Sequence, residues 1–154
     1  MTFRNITAAD RAEFARLLNA YYREGEDADT PQAEIDQFVD LLFSMCLDRR
    51  ICGAIASESE DIGFVLWTLD TEDFDFSNWP GHGTILEIGV APEYRNAGSG
   101  GKLAEYAEQQ LLENGVNSFY VCAYGPAESF WKKCGYSDTG RIAGNGLKIY
   151  SKNI

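Results

Sequence analysis

The segment with the clearest chemical content is Val90-Ala91-Pro92-Glu93-Tyr94-Arg95-Asn96-Ala97-Gly98-Ser99-Gly100-Gly101-Lys102-Leu103. Its core, Arg95-x-x-Gly98-x-Gly100, lies between a run that reads as a strand and one that reads as a helix. Glycines at such a junction open backbone torsions closed to other residues and leave no Cβ between main chain and ligand. Successive N–H groups then converge at a helix N-terminus, where the dipole also favours an anion. Such a turn suits a pyrophosphate. Two other phosphate motifs fail on residue identity. A Walker loop ending at Gly101-Lys102 needs Ser or Thr where Leu103 stands and Gly where Asn96 stands. A dinucleotide fingerprint starting at Gly98 needs a glycine at the position of Leu103. Upstream, Glu87 interrupts the otherwise apolar run 84–90, and burial there would raise its pKa towards the range useful to a general base.

The elements that position these residues follow from hydrophobic periodicity. Residues 3–6 read as a short opening strand, and Thr7 with Asp10 as a capping box. Phe14, Leu17, Leu18 and Tyr21 then recur at helical spacing. The acidic stretch 24–29 reads as a loop, and a second helix opens with Thr30 as N-cap, Pro31 in the first turn and the stripe Ile35, Phe38, Val39 and Leu42. Residues 51–56 and 62–69 suit a hairpin, the latter apolar on both faces like a central strand. An acidic, aromatic connection with the turn signal Pro80-Gly81 leads to the strand 84–90. After the glycine loop 91–101 a helix carries Leu103, Ala107 and Leu111 on one face and ends at Asn114-Gly115. Residues 118–123 read as a strand, 126–134 as a short helix, and 136–141 with 147–150 as two closing strands. The order is strand, two helices, three strands, helix, strand, helix, two strands: a mixed α/β layer structure, with 1–154 as a single domain.

Composition narrows the function classes. The net charge of −11 argues against nucleic-acid binding, which needs basic patches. From Glu24 to Asp75 there are fifteen acidic and two basic residues, a local balance of −13, whereas Arg95 onward is slightly basic. One part suits a cation and the other tolerates a polyanion. No apolar run follows the N-terminal Met1-Thr2-Phe3-Arg4-Asn5, and none approaches bilayer-spanning length. A cytoplasmic protein with no membrane partner is expected. Cys46, Cys52, Cys122 and Cys134 have neither C-x-x-C spacing nor a cluster with His82, the sole histidine, so no metal site and no disulfide are expected. Cys122 keeps a minor site role open.

The chain resembles the GNAT superfamily of acyl-CoA-dependent N-acetyltransferases. The resemblance rests on Val90-Ala91-Pro92-Glu93-Tyr94-Arg95 followed by Arg95-x-x-Gly98-x-Gly100, and on Ala127-Glu128-Ser129-Phe130-Trp131-Lys132-Lys133-Cys134-Gly135-Tyr136, in this order and spacing. It implies a mostly antiparallel central sheet of six to seven strands, helices on both faces, and a splay between the fourth and fifth strands. Gly89 and Glu87 stand where a bulge would create that splay. It implies acetyl-CoA as co-substrate, its pyrophosphate held by the backbone of Arg95, Asn96, Ala97, Gly98, Ser99, Gly100 and Gly101. Ile88, Gly89 and Val90 would pair with the pantetheine arm, Phe130 would pack on it, and Lys102, Lys132 or Lys133 would screen phosphate charge. Partners are then acetyl-CoA and an amine acceptor, with a homodimer allowed.

Acetyl transfer requires a neutral amine and gains from protonation of the leaving thiolate. Glu87 is the candidate base. Many relatives carry Tyr where this chain has Trp131, and an indole is no acid for a thiolate, so Tyr124 is the candidate donor. Trp79 and His82 would wall the acceptor side, His82 as a loop residue rather than a catalyst. A non-catalytic acyl-CoA-binding sensor is the alternative.

Overall fold

The computed structural model describes residues 1–24 and 28–154. Its elements follow the expected order: β1 (Thr2–Asn5), α1 (Arg11–Glu24), α2 (Gln32–Leu47), β2 (Cys52–Ser57), β3 (Asp61–Leu69), β4 (Gly83–Val90), α3 (Ser99–Glu113), β5 (Ser118–Ala123), α4 (Glu128–Lys133), β6 (Ser137–Ile142) and β7 (Lys148–Asn153). The seven strands are ordered β1-β2-β3-β4-β5-β7-β6. β1 runs antiparallel to β2, and β7 antiparallel to both β5 and β6, so the sheet is mixed and mostly antiparallel. β4 and β5 are parallel, pairing only Gly83 with Phe119 and Thr84 with Tyr120 before they part. This is the splay expected between the fourth and fifth strands. Among the described residues no helix is long and apolar enough to cross a membrane.

The chain forms two compact units, Met1–Leu66 with Glu87–Leu103 and Trp67–Leu86 with Ala104–Ile154. In the first, Asp10 closes the capping box by accepting the Thr7 amide at 2.9 Å, ahead of a 3-10 turn, Ala8–Asp10, that runs into α1. Phe14, Leu17, Leu18 and Tyr22 form the buried face of α1. Tyr21 is only half-buried and meets the Phe64 ring edge-on at 5.8 Å. Phe14 touches Phe43 of α2 at 5.8 Å and Phe64 of β3 at 6.0 Å, joining three elements in one aromatic core. The stripe expected on α2 is buried at Ile35, Val39 and Leu42, but Phe38 is 44% exposed. It stacks on Tyr22 at 5.6 Å at the rim instead of entering the core. Pro31, not Thr30, precedes the first helical residue. Part of the acidic stretch read as a loop (25–27) lies outside the described residues, and Glu24 belongs to α1. β3 is buried from Ile62 to Thr68, as its uninterrupted apolar pattern requires.

The second unit is built on β5, β7 and β6. Phe119, Tyr120 and Val121 are all nearly inaccessible, as are Ile149 and Tyr150 opposite them. Glu108, 4% exposed on α3, accepts from Tyr136 Oη at 3.0 Å and Lys152 Nζ at 2.8 Å, and the same ammonium donates to the Cys134 carbonyl at 2.9 Å. One buried carboxylate thus ties α3 to β7 and to the turn after α4. The four cysteines are free thiols.

In the first unit Arg4 bridges two carboxylates, Asp10 Oδ1 at 3.0 Å and Asp61 Oδ1 at 2.6 Å. The hydrogen bond from Arg4 holds the Asp61 carboxyl well below the usual range, burial opposing it. A carboxyl depressed in the folded state stabilises above its unfolded pKa of about 4 and loses that contribution as pH falls towards the folded value. Asp61→Asn is therefore expected to cost about 1 kcal/mol at pH 7 and to flatten the slope of stability against pH between roughly pH 5 and 2. Denaturant titrations followed by circular dichroism across that range check it; an unchanged slope refutes the assignment.

Candidate active site

The glycine turn belongs to the first unit and is pinned at several points. The Ala91 amide donates to the Ile62 carbonyl at 2.7 Å, carrying the end of β4 along β3. A 3-10 turn, Pro92–Tyr94, follows, and Tyr94 Oη donates to Glu60 Oε1 at 2.9 Å in the β2–β3 connection. Arg95 Nε donates back to the Val90 carbonyl at 2.8 Å, and its guanidinium pairs with Glu24 at the end of α1. Asn96 and Gly98 take positive φ values of 60° and 84°, which asparagine tolerates and glycine favours. The helix starts earlier than the sequence suggests: Ser99 is its first residue, so Ser99, Gly100 and Gly101 are helical rather than loop. The Lys102 amide donates to the Gly98 carbonyl at 3.2 Å, whereas the amides at 99–101 come before the first acceptor a helix provides.

Space at this helix mouth is as informative as torsion. A Cβ placed on Gly98 or Gly101 would meet nothing within 4 Å. Gly101 has no positive φ either, and its place in the first turn of α3 is one where alanine would be the better helix former. Neither strain nor packing explains it. Ala97 and Gly98 are exposed, Gly100 and Gly101 half-exposed, and Ser99 buried, so the main chain itself forms the surface. A pyrophosphate fits such a surface through backbone amides alone. Lys102 is exposed beside it.

Along β4 exposure changes midway. Gly83, Thr84 and Ile85 are buried, whereas Leu86, Glu87, Ile88, Gly89 and Val90 are half-buried. Gly89 has a packing reason of its own, since a Cβ there would lie 2.7 Å from the Phe64 ring and 3.2 Å from Tyr21. Glu87 keeps its place as a half-buried carboxylate two residues upstream.

Tyr124 and Phe130 belong to the second unit. Tyr124, half-buried, follows β5 in extended conformation and precedes the 3-10 turn Gly125–Ala127 that leads into α4. Phe130 is half-buried, its ring edge-on to Trp131 at 4.9 Å. Trp131 is 5% exposed and packs on Tyr136 at 5.2 Å. Trp131 is thus a core aromatic. Lys132 and Lys133 are exposed in the last turn of α4.

Sequence reading missed the buried cluster around Asp70. This residue is 1% exposed, and its Oδ2 accepts from Tyr120 Oη at 2.6 Å and from the amides of Asn78 and Trp79 at 2.9 and 2.8 Å. Burial pushes the Asp70 carboxyl up, but bonds from Ser77, Tyr120, Trp79 and Asn78 outweigh it and leave the carboxyl below its ordinary value. Burial and the Asp70 charge together hold the Tyr120 phenol well above its ordinary range. His82 stacks on Trp79 at 3.9 Å, and burial lowers its pKa. Arg141 lies over the Trp79 ring at 4.2 Å. Burial pushes the Cys122 thiol up to about 11, which leaves little thiolate at neutral pH. The only available signal was a lone carboxylate closing an apolar strand, since its donors lie 8 to 50 residues away.

The sequence model of the acetyltransferase (GNAT) family matches residues 11–136. An uncharacterized N-acetyltransferase of Archaeoglobus fulgidus is 33% identical over 116 residues, covering 73% of this chain and 75% of that protein. Among solved structures, the PaiA N-acetyltransferase of Thermoplasma acidophilum in complex with coenzyme A has a TM-score of 0.75 at 14% identity, covering 99% of this chain and 98% of that one. An acetyltransferase of the GNAT family from Staphylococcus aureus Mu50 has the same TM-score at 12% identity, with the same coverage. At these identities the structural likeness is one of fold.

If Gly101 serves no structural purpose, replacing it should help the fold. Gly101→Ala is expected to stabilise the protein by up to about 1 kcal/mol, raising Tm by about 2–4 °C in thermal unfolding. A lower Tm would show that the open space is needed for folding.

Proposed function

Because the chain belongs to the acetyltransferase (GNAT) family, we propose that it moves the acetyl group of acetyl-CoA to a primary amine of a cationic small molecule or peptide, 1–154 acting as a single N-acetyltransferase domain. The observation that supports the reading most is the mouth of α3, where Asn96 and Gly98 are left-handed, a Cβ on Gly98 or Gly101 would meet nothing within 4 Å, and the amides at 99–101 precede the first acceptor of the helix. The coenzyme A held by the Thermoplasma acidophilum relative supports the same choice of ligand. The backbone of residues 95–101 would hold the pyrophosphate, with Lys102, Lys132 and Lys133 contributing positive charge. Ile88 and Gly89 would offer their main chain to the pantetheine arm, and Phe130 its ring. The Val90 carbonyl already accepts Arg95 Nε and has one lone pair left for such a contact.

In the reaction the amine nitrogen attacks the thioester carbon, the C–N bond forms and the C–S bond breaks. Glu87 takes the proton the amine must lose, directly or through water, and the departing sulfur takes a proton from the Tyr124 phenol. The acidic residues Glu72, Asp73 and Asp75 favour the approach of a protonated amine. The buried Trp131 favours a second reading, a non-catalytic acyl-CoA sensor, since that position supplies no acid.

Two measurements separate the readings. Calorimetry with coenzyme A should show saturable binding, at least tenfold weaker in Gly101→Ala despite its more stable fold. Thiol release from acetyl-CoA across an amine panel should show turnover that falls by about 10²–10⁴ in Glu87→Gln, with the rising acidic limb of the pH–rate profile lost. Binding without turnover for any amine selects the sensor, and no binding at all removes both.

A further inference from the structure

The connection between β3 and β4 is long, yet its ends meet. The Asp70 amide donates to the His82 carbonyl at 2.8 Å, and the Gly81 amide to the Asp70 carbonyl at 2.9 Å. Its later half lies against β5 and its neighbours. Trp79 packs on the cluster of Tyr120, Ala143 and Ile149. Asn78 contacts Cys122 Sγ at 3.8 Å through its amide nitrogen, and its Oδ1 accepts the Gly144 amide at 2.9 Å from the β6–β7 turn. Strand side chains alternate between faces. Tyr120, Cys122 and, because its backbone stays extended, Tyr124 therefore succeed one another along one side of the β5 segment. The loop packs against the first two.

What fixes it there is one side chain. Asp70 gathers the amides of Asn78 and Trp79 and the Tyr120 hydroxyl onto a single oxygen, with Ser77 as a further donor to the carboxylate. No salt bridge to Asp70 occurs among the described residues, so its charge is offset by neutral donors alone. Its donors outweigh burial and keep it ionised, so the carboxylate is an anchor for the segment that supplies them. Apolar burial does little of this anchoring, since Phe74 is half-buried and Phe76 is 50% exposed. The arrangement yields a fixed position for Trp79, with His82 stacked at 3.9 Å and Arg141 over its ring at 4.2 Å. Anchoring partly exposed aromatics at the end of β5 through a buried carboxylate makes sense where those aromatics meet a ligand.

We propose that Asp70 is a positioning residue for the amine acceptor, its buried carboxylate pinning residues 78–82 to β5 so that Trp79 and His82 form a rigid wall leading to Tyr124. The proposal rests on the acetyltransferase reading. The wall is flat and aromatic, with a cation, Arg141, already over Trp79, so the part of the acceptor it receives is apolar or planar, and the ammonium end is directed elsewhere.

The test is steady-state kinetics with the best amine from the panel. In Tyr120→Phe, which removes one donor and leaves the carboxylate its two amides, the KM for the amine should rise at least fivefold. In Asp70→Asn it should rise further. In both, the KM for acetyl-CoA and kcat at saturating amine should stay within about twofold of the wild-type enzyme. Hydrogen exchange should show the Asn78 and Trp79 amides losing protection while β5 and β7 keep theirs. Should Asp70→Asn fail to fold, Tyr120→Phe carries the comparison. An unchanged amine KM in a folded variant overturns the proposal, and so does an equal rise in both KM values, which marks a purely structural role. Absence of turnover by the wild-type protein overturns the acetyltransferase reading and this proposal together.

Discussion

A helix that begins at Ser99 leaves its first amides without acceptors of its own, and the first unit is organised around keeping that mouth open and still. The preceding turn is held from three directions: by β3 through Ala91 and Ile62, by the β2–β3 connection through Tyr94 and Glu60, and by α1 through Arg95 and Glu24. None of these contacts uses the amides at 99–101. The restraint falls on side chains and on the strand end, while the amides at 99–101 have no acceptor within the helix. Preorganisation of this kind matters because donors already aimed need not be ordered when the ligand arrives.

The second unit is governed by buried carboxylates. Glu108 and Asp70 are each nearly inaccessible, and each collects donors from segments far apart in sequence. Their solutions differ. Glu108 has a cation, Lys152, and a phenol, and the lysine goes on to the Cys134 carbonyl, so charge is met by charge at a helix–strand junction. Asp70 has neutral donors only, drawn largely from one loop. The first arrangement locks regular elements together, whereas the second fixes a segment that regular structure leaves loose.

The limits of legibility follow from the same contrast. The order of elements was readable because periodicity is local: the stripe Leu103, Ala107 and Leu111 and the unbroken run at β3 state their faces directly. The chemical turn was readable because glycines report torsion and space at one place. Errors arose where a face depends on what covers it. Phe38 fits the spacing of the α2 stripe, but it reaches only the rim, where Tyr22 receives it. The boundary at Ser99 shifted because glycines were read as loop, although the first turn of a helix accommodates them. Asp70 was invisible for a stronger reason. A carboxylate beside an apolar strand describes it as well as it describes Glu87, and the donors that define its role, Tyr120, Asn78 and Trp79, lie elsewhere in the sequence.

The same tertiary information bears on the proposal that Tyr124 protonates the leaving sulfur. Three tyrosines of the second unit already donate to carboxylates: Tyr120 to Asp70 at 2.6 Å, Tyr136 to Glu108 at 3.0 Å and Tyr150 to Glu128 at 2.6 Å. Each pairing makes the phenol harder to ionise, by burial first for Tyr120 and Tyr136, and through the bond to Glu128 for Tyr150, which is pushed up to about 12. A phenol that gives its proton to a thiolate must bear the resulting negative charge, and beside a carboxylate that charge meets like charge at hydrogen-bond distance. These three are therefore the wrong tyrosines for the task. Trp131 is withdrawn into the core, and Cys122, raised to about 11 by burial, lies under Asn78. Tyr124 makes no carboxylate pair among the described residues and stands where β5 leaves the sheet, so the case for it as proton donor rests on what the alternatives are already bound to.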